Sequence, residues 1–368
     1  TAVESVTYTG RFDKTYCFTE PDRGMGVFNG IITGNCQEIT LPTTPIQSLD
    51  DPNGEISLCI LSAVNLGKCK AGYYEIEELA DLCVRSLDAL IDYQDYPVIA
   101  AELATKARRS LGVGFIGVAH ALAKHGYDYN DPNAATMMHE VTEMLQYYLL
   151  KASCQLAKEK GACSKFHETK YSDGILPIDT YKREVDSVHS AVLHCDWESL
   201  RKDILKYGLR NSTLTAQMPS ESSSVVSNET NGIEPPRNFI SAKKSKKGVL
   251  KQVVPQYTTL KNNYTLLWDM KDMTGYMNIV AVMQKFFDQS ISSNESYNPL
   301  HYGEKGVPLK LIIGNILRAY SLGYKTHYYH NTYDTKGEEE DTTPTVSAAD
   351  EILRDLLECD SSCDSCTI

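Results

Sequence analysis

The sequence lacks a long hydrophobic run. No window approaches the roughly 18 uninterrupted apolar residues that a membrane-spanning helix requires, so we expect no contact with a membrane. The sequence also lacks an excess of positive charge, because 36 lysines and arginines stand against 48 aspartates and glutamates and give a formal net charge of -12. Since a phosphate backbone is neutralised by clustered lysine and arginine, this balance disfavours binding to nucleic acid.

Cysteine, by contrast, is frequent, with 11 residues in 368. Most of the cysteines lie within apolar patterns such as Leu58-Cys59-Ile60 and Leu82-Cys83-Val84. The chain also shows no secretory signal pattern, so this usage predicts reduced thiols in an intracellular compartment.

Hydrophobic periodicity predicts an α/β fold. A period near 3.6 residues indicates helices at 76–93, 98–110, 115–125, 134–161, 197–207, 273–291 and 308–322. Apolar or β-rich runs indicate strands at 38–41, 55–61, 211–218, 248–258 and 325–330. The first helix is expected to bury one face, formed by Ile76, Leu79, Leu82, Cys83, Leu87 and Leu90.

Composition divides the chain into three parts. Residues 1–35 form short β-rich runs broken by turns, which cannot bury a core alone. Residues 36–333 carry the longer elements. Residues 334–368 include the acidic stretch Lys336–Pro344, which holds too little apolar surface to order itself, so we expect a flexible acidic tail.

The run Gly112–Gly117 matches the pattern of a dinucleotide-binding loop. That loop follows a buried strand, whereas this run follows the predicted helix end at Ala107–Ser110. We therefore expect a turn between two helices.

Cys36 lies where two chemistries meet. Cys36 and Glu38 are two residues apart, so in an extended backbone their side chains point the same way and place a nucleophilic or radical thiol beside a candidate base. On its other side Cys36 follows Asn35. Cys59 lies in a second strand-like run and could share a pocket with Cys36, although buried cysteines are usually small hydrophobic residues.

The pair Cys363 and Cys366 lies on the acidic tail. A structural zinc site would require a second pair of ligands, so thiol-disulfide exchange suits the pair better. Roughly thirty flexible residues give a reach of about 30 Å, enough to enter a nearby active site.

Two further runs are candidates for function. Ser220, Glu221, Ser222 and Ser223 follow an apolar strand, and a turn of this kind can present hydroxyls and backbone N–H groups to a phosphate. Tyr328 and Tyr329 are adjacent on a predicted strand, so one ring could face each side of the sheet, and core packing is the default interpretation.

Several ordered motifs together closely resemble the C-terminal half of the large, catalytic subunit of class I ribonucleotide reductase. They are Cys36–Pro42, Asn53–Cys59, Met218–Ser224, Asn231–Arg237, Tyr328–Thr332 and the terminal cysteine pair. The resemblance extends from Cys36 to the end of the chain. It implies half of a ten-stranded α/β barrel, with Cys36 at the tip of an internal loop.

The resemblance implies a role for each matched residue. Cys36 corresponds to the cysteine whose thiyl radical abstracts the ribose 3′ hydrogen, and Glu38 to the carboxylate that takes the 3′-hydroxyl proton. Cys59 corresponds to one of two cysteines that supply reducing equivalents and end as a disulfide. Tyr328 and Tyr329 correspond to the pair that relays the radical to Cys36.

The remaining matches concern the substrate and the reductant. The run from Ser220 to Ser223, with Glu221 and Ser222, corresponds to the loop that binds the substrate diphosphate. Cys363 and Cys366 correspond to the tail pair that reduces the active-site disulfide.

The implied partners are an N-terminal half of the large subunit, a metal-containing small subunit that supplies the radical, a thioredoxin or glutaredoxin-type reductant and a ribonucleoside diphosphate. No cofactor or metal is expected on this chain. The family's allosteric sites and its other redox cysteine precede the matched region, so we expect the chain to be inactive alone. We expect it in the cytoplasm of a bacterial or phage-infected cell.

Residues 1–35 resemble the C-terminal fragment of an intein. Asn35 could cyclise and cut the chain behind itself, while the Cys36 thiol accepts the upstream acyl group as a thioester. Gly34 stands where His is usual, and Cys17 stands where Asp is common. We expect a split intein that splices in trans, with an N-terminal intein fragment carried by the other half.

Two alternatives remain open. Residues 1–35 could be an inert extension, with the two halves of the subunit associating noncovalently. The chain could also be a non-catalytic binding or regulatory protein derived from the reductase fold.

Overall fold

The fold is taken from a computed structural model, which describes residues 25–28, 31–34, 38–70, 72–189, 192–245 and 248–333. Over these ranges the chain is a mixed α/β protein, as predicted. The strands are β1 Met25–Phe28, β2 Ile31–Gly34, β3 Ile60–Asn65, β4 Leu111–Ile116, β5 Ile240–Ser245, β6 Gly248–Val253, β7 Glu295–Tyr297 and β8 His330–Thr332. The α-helices are α1 Glu75–Tyr93, α2 Ile99–Arg108, α3 Val118–His125, α4 Pro132–Lys160, α5 Pro177–Thr180, α6 Trp197–Tyr207, α7 Glu221–Val226, α8 Tyr257–Leu260, α9 Thr274–Gln284 and α10 Leu309–Ser321.

An open arc of parallel segments forms the centre of the fold. β3 and β4 pair in parallel over their full lengths. Beside β4 lies the extended segment 213–217, joined through Val113 and Thr215, and beside that lies 289–292, joined through Gln217 and Ile291. The spatial order of the four segments follows their order in the chain.

The described residues do not close into a barrel. A barrel closes only when its last strand pairs with its first, and here the arc ends at β3 on one side and near residue 290 on the other. The ten-stranded barrel implied by the resemblance is therefore not seen in the described part of the chain.

The predicted strands exist as extended chain but have different bounds. The strand predicted at 55–61 begins only at Ile60, where its parallel partner β4 becomes available. Residues 38–41 form no regular strand and instead bind residues 289 and 290 by hydrogen bonds. Residues 325–329, predicted as strand, are irregular, and strand β8 begins only at His330, where it pairs in parallel with β7. The run at 248–258 is strand only to Val253 and then enters α8.

The prediction of a helix-to-helix turn at Gly112–Gly117 is wrong. Residues 111–116 form the fully buried strand β4, and only then does Gly117, at φ 76°, turn the chain into α3. A Cβ on Gly114 would lie 2.6 Å from the carbonyl oxygen of Ala216, so the glycine allows the neighbouring segment to approach. Gly112 and Gly114 therefore serve close strand packing, and only Gly117 lies in the turn. A dinucleotide loop stays disfavoured, because two of the three glycines lie within the strand and not in the loop after it.

The seven predicted helices are all present, α6 with the predicted bounds and the other six with shifted ends. The longest, α4, begins where the Asp131 side chain accepts the amide of Asn133 and Pro132 occupies the first turn, and it ends at Gly161. These are typical helix boundary residues.

The buried face of α1 differs from the predicted one. Leu82 and Leu90 are 60% and 46% exposed, whereas Ala80 and Asp88 are fully buried. Asp88 is buried because its carboxylate pairs with the Arg109 guanidinium, 2.5 Å away. Ile76 and Leu87 are buried as predicted, and Leu79 and Cys83 pack against the core, so the prediction is wrong only at Leu82 and Leu90. It missed Asp88 because a hydrophobicity pattern excludes a charged residue from the core.

Two antiparallel hairpins lie outside the arc. β5 pairs with β6 over six residues of each strand. β1 pairs with β2, which confirms β structure for those parts of the first 35 residues. Within the described residues no helix is both long and apolar enough to span a membrane.

Candidate active site

Glu38 is fixed at the open end of the arc. Its carboxylate is buried, at 1% exposure, and accepts a hydrogen bond from the Ser292 hydroxyl at 2.7 Å. Its main-chain carbonyl accepts the amide of Ser290 at 2.8 Å. Two hydrogen bonds to one neighbouring segment therefore define the position of this candidate base.

The tyrosine pair is attached to the same segment. The Tyr328 amide donates to the carbonyl of Ser293 at 3.0 Å, and the Tyr329 amide donates to the side-chain oxygen of Asn294 at 3.0 Å. The prediction that one ring could face each side of a sheet is wrong. The rings lie against each other with centroids 3.9 Å apart and an angle of 43°, because both residues precede β8.

Asn294 joins the tyrosine segment to a second carboxyl. Its amide nitrogen donates to Glu234, within the motif Asn231–Arg237, at 2.5 Å. Burial raises the pKa of Glu234 to about 7, and the nearby carboxylate of Glu221 contributes to the rise. Glu234 therefore lies between the tyrosine pair and the serine-rich turn.

The serine-rich turn follows the third segment of the arc. Ser220, at φ 60°, turns the chain in the left-handed conformation, and α7 begins at the next residue. Glu221, Ser222 and Ser223 are exposed, so their polar groups are open to a ligand. The sequence-based description of a turn leading into a helix is confirmed.

A buried pair of side chains supports this turn from behind. Glu229 is 1% exposed and lies 3.0 Å from Nδ1 of His120, while the other ring nitrogen of His120 lies 3.1 Å from the side-chain oxygen of Gln256. The Glu229 amide also donates to the carbonyl of Ser224 at 2.8 Å. The pair connects α3 to the end of α7 and fixes the position of the turn.

Several predicted site residues are not brought together by the described structure. Cys59 is half-buried and directly precedes β3. Cys36, predicted to share a pocket with Cys59, lies outside the described residues, as do Asn35, Cys17, Cys363 and Cys366, so their roles stay predictions. Where the chain is described, no three His, Cys, Asp or Glu side chains are arranged as metal ligands.

Sequence reasoning missed the segment 290–295, which connects the site. Its members Ser290, Ser292, Ser293 and Asn294 bind either Glu38 or the tyrosine pair. The signal for it was present, because a run rich in hydroxyl, amide and carboxyl side chains follows the apolar helix α9. Chemically, the arrangement offers a buried carboxylate and a pair of adjacent phenols on one segment, with an exposed serine-rich turn connected to it through Glu234.

A known protein family matches most of the chain, including the residues of the candidate site. The family described as "Ribonucleotide reductase, barrel domain" matches residues 29–330. The match begins before Cys36, where the resemblance in the sequence starts, and so includes residues 29–35.

Individual relatives are similar over most of this chain. Ribonucleoside-diphosphate reductase subunit alpha of Haemophilus influenzae is 59% identical over 299 residues, covering 81% of this chain and 39% of the relative. The subunit alpha of Buchnera aphidicola from Schizaphis graminum is 51% identical over 333 residues, covering 90% and 43%. Subunit alpha of reductase 1 of Escherichia coli is 53% identical over 257 residues, covering 70% and 34%. The chain thus spans less than half the length of these relatives.

Proposed function

The chain belongs to the family of the ribonucleotide reductase barrel domain, and we propose that it supplies the C-terminal half of the catalytic barrel of a ribonucleoside-diphosphate reductase. The observation that carries the proposal is the segment 290–295, which binds Glu38 on one side and the tyrosine pair on the other. A base and a radical relay are both needed at one reacting ribose, and this segment holds the two candidates.

In the proposed reaction Cys36, as a thiyl radical, takes the 3′ hydrogen atom of the ribose. Glu38 accepts the 3′-hydroxyl proton. A buried carboxylate held by one hydroxyl donor is suited to this task, because general-base catalysis requires a fixed acceptor within hydrogen-bond reach. The 2′-hydroxyl leaves as water, and Cys59 and a second cysteine from an N-terminal half supply the two electrons and two protons that this loss requires and become a disulfide. Cys36 then returns the hydrogen atom to C3′ and is again a thiyl radical.

The radical reaches Cys36 through Tyr328 and Tyr329. The short distance between the two rings supports this role, since transfer between phenols requires close approach. A small subunit that carries a metal centre supplies the radical.

The turn from Ser220 to Ser223 binds the substrate diphosphate. Its exposure and the left-handed Ser220 support the proposal, because such a turn directs hydroxyls and backbone N–H groups outward. The Glu229–His120 pair keeps the turn in place. The turn itself contains no lysine or arginine, so its donors must be neutral.

The tail thiols Cys363 and Cys366 reduce the disulfide that Cys59 forms. One tail thiolate attacks the disulfide, and the second resolves the mixed disulfide, which leaves the tail pair oxidised. A thioredoxin or glutaredoxin-type dithiol then restores it.

An N-terminal half of the subunit completes the site, and we propose that it is joined by splicing in trans. In this scheme Asn35 cyclises, Cys36 accepts the upstream chain, and residues 1–35 are removed. Cys36 would then act first in splicing and later in reduction. The alternatives are noncovalent association with residues 1–35 retained, and a non-catalytic regulatory derivative.

Co-expression with an N-terminal half that carries an N-terminal intein fragment separates these possibilities. Intact mass spectrometry should find one full-length chain without residues 1–35. Two chains with residues 1–35 retained would show noncovalent association. An assembled complex that forms no deoxyribonucleotide, although both halves are folded, would favour the regulatory alternative.

A further inference from the structure

Glu295 is a further buried carboxylate near the tyrosine pair, in addition to Glu38 and Glu234. It is 1% exposed and lies at the start of β7. The Tyr297 hydroxyl donates to one of its oxygens at 2.5 Å, and Nδ1 of His327 lies 3.4 Å from the other. Nδ1 of His330 lies 3.9 Å from the first oxygen. The Glu295 carboxylate therefore lies near His327, which precedes the tyrosine pair in the sequence, and near His330, which follows it.

The main chain adds another connection. The Glu295 amide donates to the carbonyl of Tyr329 at 2.9 Å. The imidazoles of His327 and His330 stack at 5.9 Å, and the ring of Tyr297 stacks on His330 at an angle of 3°. The segment 327–330, which carries the tyrosine pair, is thus held against β7 at both ends.

We propose that Glu295 is a positioning residue, which fixes the geometry of Tyr328 and Tyr329 by holding His327 and His330. The inference rests on the proposed function, because only a radical relay requires these two rings to keep one arrangement. Glu295 acts through its neighbours and touches neither substrate nor Cys36 in this scheme.

The interaction between Glu295 and His327 depends on their burial. The oxygen of Glu295 nearest His327 has no hydrogen-bond donor among the described residues, and Nδ1 of that imidazole lies 3.4 Å away. Burial lowers the pKa of His327, while the charge of Glu295 acts in the opposite direction. The other titratable groups nearby are His330, Tyr297, Tyr324 and, from α10, Arg318.

The interaction between Glu295 and His327 should therefore depend on pH. Because burial lowers the pKa of His327, acidification below its ordinary range protonates this imidazole, and the cation then pairs with a Glu295 carboxylate but not with a neutral amide. Glu295→Gln keeps the size of the side chain and an oxygen that can accept from Tyr297. The substitution therefore removes the charge while it preserves the packing.

The test uses the full chain, alone and assembled with an N-terminal half. In the isolated chain, amide hydrogen exchange at residues 327–330 should be about ten-fold faster in Glu295→Gln than in the unchanged chain, because a lost charged interaction is worth about 1.4 kcal/mol. In the assembled enzyme kcat should fall about ten-fold with KM for the diphosphate unchanged, and the pH dependence of kcat below about pH 6.5, the ordinary pKa of an imidazole, should flatten. Glu184→Gln, which removes an exposed carboxylate outside this cluster, is the matched control.

Failure of this inference is distinguishable from failure of the proposed function. Unchanged exchange and an unchanged kcat in Glu295→Gln would overturn the positioning role. An inactive assembly of the unchanged chain would instead count against the reductase, while the exchange result would still test the hold on residues 327–330. If Glu295→Gln does not fold, Tyr297→Phe provides a second variant, since it removes one hydrogen bond to Glu295 and should also speed the exchange.

Discussion

Ser292 donates its hydroxyl to the carboxylate of Glu38 at 2.7 Å, although the two residues are 254 positions apart in the chain. The bond joins the first described residue of the range 38–70 to the last segment of the parallel arc. It also orients a buried carboxylate that the proposed reaction uses as a base.

Ser292→Ala should therefore affect both stability and rate. Removal of the hydroxyl leaves the buried Glu38 carboxylate without this donor, which should lower the free energy of unfolding by about 1–3 kcal/mol. In the assembled enzyme the displaced base should lower kcat about 10- to 100-fold. Urea denaturation and steady-state kinetics measure the two effects. Ser187→Ala, at an exposed position, should change neither, and equal effects of both substitutions would contradict the role of the bond.

The raised pKa of Glu234 predicts that the stability of the chain falls as pH rises. Its folded pKa is about 7 because of burial, against an ordinary value of 4.5, so the folded state binds more protons between these values than the unfolded state does. The free energy of unfolding should decrease from about pH 4.5 to about pH 7. Glu234→Gln should remove that component, which urea denaturation at several pH values can measure. An identical slope in the variant and in the exposed control Glu198→Gln would contradict the assignment.

The lowered pKa of His139 predicts the opposite dependence, a stability that falls as pH falls. It is 1% exposed, neither ring nitrogen has a hydrogen-bond partner among the described residues, and burial beside the Lys285 ammonium lowers its pKa from 6.5 to about 4. The unfolded chain binds this proton first, so stability should fall as pH falls from about 6.5 to about 4. Urea denaturation across this range should show a smaller fall in His139→Met. The exposed His301 is the control, since His301→Gln should keep the full slope.

Gly114 tests the packing of the arc. A Cβ there would meet the Ala216 carbonyl oxygen at 2.6 Å, so Gly114→Ala should destabilise the chain by about 1–3 kcal/mol. In α10, a Cβ added to Gly314 would meet no neighbouring atom within 4 Å, so Gly314→Ala should be neutral or stabilising by about 0.5–1 kcal/mol. Thermal unfolding of both variants measures the difference. Equal effects would mean that β4 and the segment 213–217 do not approach as closely as described.

The sequence predicted the helices well because their apolar spacing is long and regular. It failed at Gly112–Gly117, where a buried parallel strand rich in glycine has no alternation to distinguish it from a turn. On α1 it missed the burial of Asp88, which depends on Arg109 and which no periodicity reveals.

The candidate site was predictable only where its residues carry a local motif. Glu38, the serine-rich turn and the tyrosine pair were identified from their neighbours in the chain. The segment 290–295 and the Glu295 cluster were not, because their roles depend on pairing with residues far away in sequence. The close arrangement of Tyr328 and Tyr329 depends on the short β8, which periodicity placed too early.

The most direct test of the account is the formation of deoxyribonucleotide by the chain assembled with an N-terminal half, a radical-supplying small subunit and a dithiol reductant. The unchanged chain should convert a ribonucleoside diphosphate. Glu38→Gln, which keeps an acceptor for Ser292, should lose about 10²- to 10⁴-fold in kcat, as expected for a missing general base. An assembled, folded complex that forms no deoxyribonucleotide, or one that works equally well with Glu38→Gln, would contradict the account.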